Sequence, residues 1–275
     1  MILFLHNRYR VTGGEERAVA NLIWLVREQL GESAELFERD SATLGRTRAA
    51  AGMLRGGLGP ADVARAVTRT GARVVHAHNI HPAFGWRALA AARAAGARVV
   101  LQLHQYRLVC AVGVCFTAGA ECTRCHGRNT LPGVAHRCRG SNAEALVYGA
   151  ALALWQRRIA ASVDAFVVPS HFAAARLREL GAPVLTPYVV PHPLREIAER
   201  AAPKHDGYAL FAGRLEPEKG LDTAIAACKI AGVPLVVAGS GSERQRFEGS
   251  AAVTFVGQVD EQELARLRAN SCSST

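Results

Sequence analysis

The feature that most constrains the fold of this 275-residue chain is the repeated alternation of short aliphatic runs with longer helical segments. The aliphatic runs lie at 2–5, 73–78, 98–103, 165–169, 208–212, 235–238 and 253–256. The segments between many of them are rich in Ala and Leu and have helical periodicity, as at 15–30, 61–70 and 221–231. Strands that alternate with helices form parallel, doubly wound sheets, so the sequence predicts an α/β fold.

A proline-rich segment divides this pattern into two domains. The segment contains Pro187, Pro191, Pro193 and Pro203. A doubly wound domain usually has five or six strands, and only three aliphatic runs follow the segment. We therefore predict a Rossmann-like domain at residues 1–190, with a Cys-rich insertion at 105–140, and a second, incomplete Rossmann-like domain at residues 191–275.

Composition and charge restrict the cellular setting. The formal net charge is +10, and a basic surface attracts phosphates, anionic lipid headgroups or nucleic acid. The sequence has no apolar run of the roughly 20 residues that a bilayer-spanning helix needs, and its N-terminus lacks the features of an export signal. We expect a cytoplasmic protein.

Glycines follow the first strand. Gly13 and Gly14 lie where the strand should lead into a helix, so that backbone N–H groups and the helix N-terminus can approach a phosphate. A Gly-Gly pair alone is equally typical of a tight turn.

The loop after the fifth aliphatic run contains a glycine and two cations. Gly213 permits close backbone approach, and Arg214 and Lys219 lie at the carboxyl end of a parallel strand, where α/β folds bind ligands. These groups suit a diphosphate leaving group. A solvated turn in which Glu216 and Glu218 neutralise the two cations is the alternative.

With these motifs the chain resembles the retaining glycosyltransferases of family 4, whose GT-B fold has two facing Rossmann-like domains. The resemblance extends over nearly the whole chain. Its motifs are Gly13-Gly-Glu15, Val74-Val-His-Ala-His-Asn79, Gln102-Leu-His-Gln-Tyr-Arg107, Val168-Pro-Ser170 and Gly213-Arg-Leu-Glu-Pro-Glu-Lys-Gly220. The last motif is the most specific.

The resemblance implies a role for each domain and for several residues. The first domain would bind a carbohydrate or lipid-linked acceptor, and the second a UDP- or GDP-sugar. The residues implied near the donor diphosphate are Gly13, Gly14, Gly213, Arg214 and Lys219. His104 matches a family histidine near the transferred sugar, which implies a catalytic role; a histidine satisfied in the core is the alternative.

The chain also departs from the family at two points. It has Pro191-His192-Pro193 at the domain crossover, where many relatives have Pro-Asn-Gly or Pro-Asn-Pro. It has no equivalent of the family's pair of glutamates spaced eight positions apart, which bind the donor sugar and ribose. We expect a truncated transferase that is weakly active or inactive as it stands.

Five of the seven cysteines lie between 110 and 138. Cys122 and Cys125 form a Cys-x-x-Cys hook, and Cys110 and Cys138 flank it at distances that suit a tetrahedral zinc site. The same four cysteines resemble an insertion in a subset of the family. A redox pair at Cys122 and Cys125, ligation by His126 or His136, and buried thiols without a role remain alternatives.

Three hypotheses follow for the function. The first is a transferase of polysaccharide or glycolipid synthesis, and the second is a non-catalytic acceptor-binding or partner protein that keeps the first domain. The third is a zinc or redox module. The helix expected at 143–161 carries Trp155, Arg157 and Arg158, which suit peripheral contact with the inner membrane as well as a core helix with a solvated end. We expect no nucleic-acid partner.

Overall fold

A computed structural model describes residues 1–9, 13–195, 207–250 and 252–272. The chain divides into two compact units, Met1–Arg195 (unit 1) and Glu196–Thr275 (unit 2). The strands are β1 Ile2–Arg8, β2 Ala34–Asp40, β3 Val74–Ala77, β4 Arg98–Gln102, β5 Phe116–Thr117, β6 Ala120–Glu121, β7 Ala165–Val168, β8 Tyr188–Val189, β9 Ala209–Ala212, β10 Leu235–Ala238 and β11 Val253–Gly257.

The α-helices of the same described ranges are α1 Gly14–Trp24, α2 Arg46–Arg55, α3 Pro60–Thr70, α4 Gly85–Ala94, α5 Leu131–Ala135, α6 Asn142–Ala161, α7 His171–Glu179, α8 Leu221–Ala231, α9 Arg244–Phe247 and α10 Glu261–Asn270. A π-helical turn at Leu25–Gln29 continues α1, and a 3₁₀ turn at Pro217–Lys219 precedes α8. None of the described helices is long and apolar enough to cross a membrane.

Unit 1 is built on one parallel sheet. In its described residues the strand order is β2-β1-β3-β4-β7-β8, and all neighbours pair in parallel. The order reverses at β1, because β2 lies on one side of it and β3 on the other. In open α/β sheets such a switch point forms a crevice at the carboxyl ends of the strands, where ligands bind.

Burial explains why β1 is central. Leu3, Phe4 and Leu5 are fully buried, which requires packing on both faces of the strand. On α3, Val63, Ala66 and Val67 share the buried face, because residues three and four apart lie on one side of a helix. The sheet and its helices thus bury one continuous core.

The Cys-rich insertion lies between β4 and α6. It contains the two-stranded antiparallel pair β5-β6 and the short helix α5. Gln156 of α6 is 4% exposed and donates its amide N–H groups to the carbonyls of Leu108 and Gly127, at 2.9 and 2.8 Å. This side chain therefore connects the insertion to the helix beneath it.

Unit 2 contains a three-stranded parallel sheet in its described residues, in the order β11-β10-β9. Its core is formed by Leu215, Leu221, Leu235 and Val237, each at most 2% exposed. The predicted α/β class with parallel sheets is confirmed in both units. The sequence prediction missed β2, β8 and the two short strands β5 and β6.

Candidate functional site

Histidines collect at the carboxyl ends of the central strands of unit 1. His6 lies near the end of β1, His78 directly follows β3, and His104 follows β4 after one residue. Parallel strands end at the same edge of a sheet, so these side chains meet at the switch point. The predicted catalytic residue His104 therefore lies where an α/β sheet binds ligands.

Five aromatic rings form a row at this edge, which we call the histidine row: Phe4, His76, His78, His104 and His192. Successive ring centroids are 5.4, 4.7, 5.1 and 5.0 Å apart, and successive ring planes differ by at most 29°. His192 belongs to the Pro191-His192-Pro193 segment that departs from the family pattern. The segment thus contributes a side chain to the site.

One hydrogen bond joins two members of the row. Nδ1 of His78 and Nε2 of His104 are 2.8 Å apart. The remaining ring nitrogens, Nε2 of His78 and Nδ1 of His104, are buried and have no hydrogen-bond partner among the described residues. Burial lowers the pKa of His104 to about 3 and lowers the pKa of His78 well below its usual value, so both rings are neutral at pH 7.

A second polar network lies beside the row. Tyr9 donates its hydroxyl hydrogen to Glu15 Oε2 at 2.9 Å, and Gln105 Nε2 donates to the Tyr9 oxygen at 2.7 Å. The guanidinium of Arg107 lies 5.1 Å from the centre of the Tyr9 ring. Burial raises the pKa of both Glu15 and Tyr9.

This network and part of the histidine row line one cavity. Its wall includes Glu15, Gln105, Arg107, His78 and His104, and its volume is about 40 Å³. The cavity wall therefore carries a carboxyl group, an amide, a guanidinium and two neutral imidazoles, all of which can form hydrogen bonds.

In the first glycine loop, the carboxylate of Glu16 accepts backbone N–H groups of the loop itself. Glu16 Oε2 accepts the Gly13 N–H at 2.8 Å, and Oε1 accepts the Tyr9 N–H at 3.1 Å. Oε1 also lies 3.7 Å from Nε2 of His6. The N–H group predicted to approach a donor phosphate is thus satisfied by a carboxylate of the chain itself, in the manner of a capping box. Gly14 begins α1, and a Cβ atom there would meet no other atom within 4 Å.

The predicted donor residues of unit 2 share one loop. Gly213, Arg214 and Lys219 lie between β9 and α8, and the side chain of Arg214 is 53% exposed. Arg214 Nη2 is 3.2 Å from Glu218 Oε1, so the neutralising contact expected for a solvated turn is present. Because Arg214 keeps half of its surface exposed, it remains accessible to an anion.

The sequence prediction missed a glycine loop that packs against these residues. Gly239 and Gly241 follow β10, with φ angles of +145° and +158°. A Cβ atom on Gly239 would overlap the Gly213 carbonyl oxygen, and one on Gly241 would overlap the carbonyl of Leu215. The signal in the sequence was Gly-Ser-Gly directly after an aliphatic run, the same arrangement that drew attention to Gly213.

All five cysteines of the insertion line one cavity together with His136. Cys110 pairs with Cys115, the cysteine outside the predicted zinc set: a hydrogen bond from the Cys115 thiol lowers the pKa of Cys110 to about 6. Cys138 Sγ is 3.9 Å from Thr117 Oγ1, and Cys122 Sγ accepts a long 3.7 Å contact from Arg124.

The predicted zinc site is not supported by this arrangement. Among the residues that the structure describes, no group of three or more His, Cys, Asp or Glu side chains is arranged to hold a metal ion. In the described residues the Cys110 thiol is paired with Cys115, and the polar contacts of Cys122 and Cys138 are with Arg124 and Thr117.

Comparison with known proteins gives two family matches. A family model described as a glycosyl transferase 4-like domain matches residues 6–192, and one described as glycosyl transferases group 1 matches residues 195–271. Comparison with curated proteins finds no match.

Two similar solved structures are those of HepE from Anabaena, in complex with UDP and with UDP-glucose. Each is 14% identical and the alignment covers 98% of this chain, with 72% and 71% of the HepE chain and TM-scores of 0.52 and 0.53. At this identity the likeness concerns the fold.

Proposed function

The chain belongs to the glycosyl transferase 4-like family, and from that membership we propose that it transfers a hexose from a nucleotide sugar to a carbohydrate acceptor. The HepE structures contain UDP and UDP-glucose, which supports a UDP-sugar as the donor; a GDP-sugar is the alternative. The match to the family over residues 6–192 is the observation that carries this proposal.

In this proposal unit 2 binds the donor diphosphate. Gly213 allows the backbone to approach the phosphates, and Arg214 and Lys219 neutralise the charge that develops as the nucleoside diphosphate leaves. The neighbouring turn at Gly239 and Gly241 belongs to the same end of the sheet, since β9 and β10 are parallel. This loop pair is the proposed donor site.

Calorimetry with UDP, GDP and UDP-glucose tests the donor site. Each charge-assisted contact contributes about 1.5–3 kcal/mol, so Arg214→Ala should raise the Kd of the preferred nucleotide about tenfold or more. Arg246→Ala is the matched control, because Arg246 is another exposed arginine of unit 2 and is paired with Glu243. Equal affinity of wild type and Arg214→Ala would refute the assignment.

Unit 1 is the proposed acceptor domain, with His104 beside the transferred sugar. Transfer with retention breaks the bond between sugar and diphosphate and forms the new glycosidic bond on the same face, through an oxocarbenium-like centre. A neutral imidazole can hydrogen-bond to a sugar hydroxyl without placing a cation next to that centre. Gly13 and Gly14 are proposed to face the diphosphate, provided that Glu16 releases the Gly13 N–H.

Turnover separates this function from the non-catalytic alternative. A transferase releases the nucleoside diphosphate from its donor when an acceptor is present, whereas an acceptor-binding protein does not. His104→Ala should lower the rate of release at least about tenfold, the equivalent of one hydrogen bond of about 1.4 kcal/mol.

A lipid-linked acceptor is supported by one face of unit 1, which we call the arginine face. It consists of α2, α4 and α6, in which α6 packs against both α2 and α4. The exposed arginines of these helices are Arg46, Arg48, Arg55, Arg87, Arg93, Arg157 and Arg158, and Arg93 is paired with Asp164. The three helices contain a single acidic residue, Glu144, at the start of α6. In the described part of the chain Glu144 pairs with Arg139, away from these cations.

Aromatic and apolar side chains hold the arginine face together. Trp155 of α6 donates its indole N–H to the Met53 carbonyl of α2 at 3.1 Å, and Arg158 lies 4.7 Å from the ring of Trp86 in α4. Leu54 and Leu154 are 43% and 51% exposed. Cations beside exposed leucines suit the surface of an anionic bilayer, so we propose peripheral contact with the cytoplasmic membrane face.

Vesicle co-sedimentation tests the arginine face. Each arginine near an anionic bilayer contributes about 1 kcal/mol, so Arg55→Glu with Arg157→Glu should weaken binding to phosphatidylglycerol vesicles at least about thirtyfold. Arg73→Glu with Arg178→Glu changes the net charge equally outside the three helices and is the control. Equal loss in both variants, or no binding by the wild type at low salt, would contradict the proposal.

A further inference from the structure

His78 is a buried polar residue for which the proposed function has no use. It is 3% exposed and lies between His76 and His104 in the histidine row. Its Nδ1 is hydrogen-bonded to Nε2 of His104, the one polar contact that the described residues make to the His104 ring. The two rings are almost parallel, with planes 29° apart.

The protonation states of these two rings are linked. Burial keeps both imidazoles neutral, and a neutral imidazole carries one N–H and one lone pair. The short Nδ1–Nε2 bond requires one hydrogen between the rings. If His78 donates, His104 must carry its own hydrogen on Nδ1; if His104 donates, its Nδ1 is an acceptor. In either arrangement the tautomer of one ring determines the tautomer of the other.

The other neighbours of His104 do not supply this constraint. His192 lies on the opposite side with its ring centroid 5.0 Å away and its plane 14° from that of His104, and it is joined to His104 by ring contact. His6 and Glu16 affect the ring through charge, and no hydrogen bond joins either side chain to it in the described structure. His78 is therefore the described side chain whose hydrogen bond couples the donor and acceptor pattern of the His104 ring to its own.

We propose that His78 is the positioning residue of His104, which holds the ring in one plane and one tautomer and leaves Nδ1 as the ring nitrogen that has no hydrogen bond among the described residues. The inference rests on the proposed function only in giving His104 a sugar to contact. A ring fixed before the sugar arrives loses no orientation freedom on binding, which is how supporting side chains contribute to catalysis. Freeing the ring should therefore lower kcat more than it raises the KM of the donor.

The experiment reads the tautomer of His104 directly. The wild-type protein with ¹⁵N-labelled histidine should show one neutral tautomer of His104 in long-range ¹H–¹⁵N spectra, assigned by the signals lost in His104→Gln. In His78→Phe, which keeps a flat ring but no hydrogen-bonding group, the signals should move to the average of two tautomers. His78→Gln, which can still form the hydrogen bond, should restore a single tautomer.

His76→Gln is the matched control, because His76 also lies next to His78 in the row but has no hydrogen bond to His104. Loss of the single tautomer in His76→Gln to the same extent, or an unchanged His104 tautomer in His78→Phe, would overturn the proposal. A mixture of tautomers in the wild type would overturn it even if His78→Phe did not fold. If the tautomer changes as expected while donor turnover stays constant, His78 still positions His104, and the catalytic role of His104 is wrong instead.

Discussion

Glu16→Gln removes one negative charge from the first loop of unit 1 while keeping the size of the side chain. The wild-type carboxylate is 11% exposed and accepts the N–H groups of Gly13 and Tyr9 at 2.8 and 3.1 Å. A glutamine amide has one oxygen in place of two, so its NH₂ group must face one of these N–H donors. We expect the substitution to leave one buried N–H without an acceptor.

The magnitude follows from the pKa of Glu16. Burial alone would raise this pKa, but the His6 ring, whose Nε2 lies 3.7 Å from Oε1, and hydrogen bonds from the backbone of Tyr9 and Gly13 outweigh burial and lower it from 4.5 to about 2. A shift of that size corresponds to about 3 kcal/mol of preference for the charged form in the folded state. Two charge-assisted hydrogen bonds that become at best one neutral bond lose a similar amount. Glu16→Gln should therefore destabilise unit 1 by about 2–3 kcal/mol at pH 7.

The pH dependence has a definite sign. Because the folded-state pKa is below the unfolded value, the contribution of Glu16 is complete above about pH 5 and is lost as the pH falls through the folded pKa. The difference in unfolding free energy between wild type and variant should stay constant from pH 7 to 5 and shrink by about 1 kcal/mol near pH 4. Burial is the largest cause of the raised pKa of Glu15 and is the same in the variant, whereas the smaller contribution from the charge of Glu16 is lost with the substitution.

Urea unfolding followed by tryptophan fluorescence is the appropriate assay. The chain has three tryptophans, Trp24, Trp86 and Trp155, and all lie in unit 1, so the signal reports on that unit. Glu28→Gln removes the same charge at an exposed position in the turn that continues α1 and is the control. A difference below about 0.5 kcal/mol, or one that does not change between pH 7 and 4, would refute the reasoning.

The same variant tests the proposed contact between Gly13 and the donor diphosphate. A diphosphate that accepts the Gly13 N–H must displace the Glu16 carboxylate, so its binding competes with the internal hydrogen bond. A neutral glutamine oxygen is a weaker acceptor for the Gly13 N–H than the carboxylate is, so Glu16→Gln should bind UDP more tightly than wild type does. An unchanged or higher Kd would mean that the diphosphate does not use Gly13.

Three further predictions concern other parts of the chain. Gln156→Leu should destabilise unit 1 by about 2–4 kcal/mol in urea unfolding, since it leaves two carbonyls near the insertion without their donor. Gly239→Ala should reduce nucleotide binding by unit 2 in calorimetry, because the added Cβ overlaps the Gly213 carbonyl at a φ of +145°. Because the described residues contain no group of three or more His, Cys, Asp or Glu side chains arranged to hold a metal ion, elemental analysis of protein purified without added metal should show less than one zinc per chain. A full equivalent that is lost in Cys122→Ser with Cys125→Ser would restore the zinc hypothesis.

The strands that the sequence predicted are those with an aliphatic run. β1, β4 and β10 are buried along most of their length, and a strand buried on both faces needs apolar residues at successive positions. β2 was missed because its sequence Ala-Glu-Leu-Phe-Glu-Arg-Asp belongs to a strand at the edge of the sheet, with no fully buried residue. β2 is a strand because it pairs with β1 along its whole length, and the pattern of apolar residues within β2 does not indicate this pairing.

Only some residues of the candidate site could be predicted, because a local motif shows its own residues but not the side chains that lie opposite them in the fold. His104 and the loop from Gly213 to Lys219 could be found because each stands in a local motif with a recognisable order of residues. His78 also stood in such a motif, but its importance depends on the ring opposite it, 26 residues further along the chain. A rule that polar residues directly after neighbouring parallel strands meet at one edge would have placed His78 next to His104.

This rule could not have predicted that His192 lies next to His104, because His192 follows β8, which is at the edge of the sheet and two strands away from β4. The chain after β8 runs back across the carboxyl ends of the strands to α1. Asn21 of α1 donates its amide N–H to the Pro193 carbonyl at 3.1 Å and accepts a hydrogen bond from Arg195 Nε at 3.0 Å. These two contacts hold the segment that contains His192 against α1, and the ring of His192 stacks on that of His104. Asn21 is thus as necessary to the position of His192 as the prolines beside it, although nothing in the sequence around Asn21 indicates a role in the site.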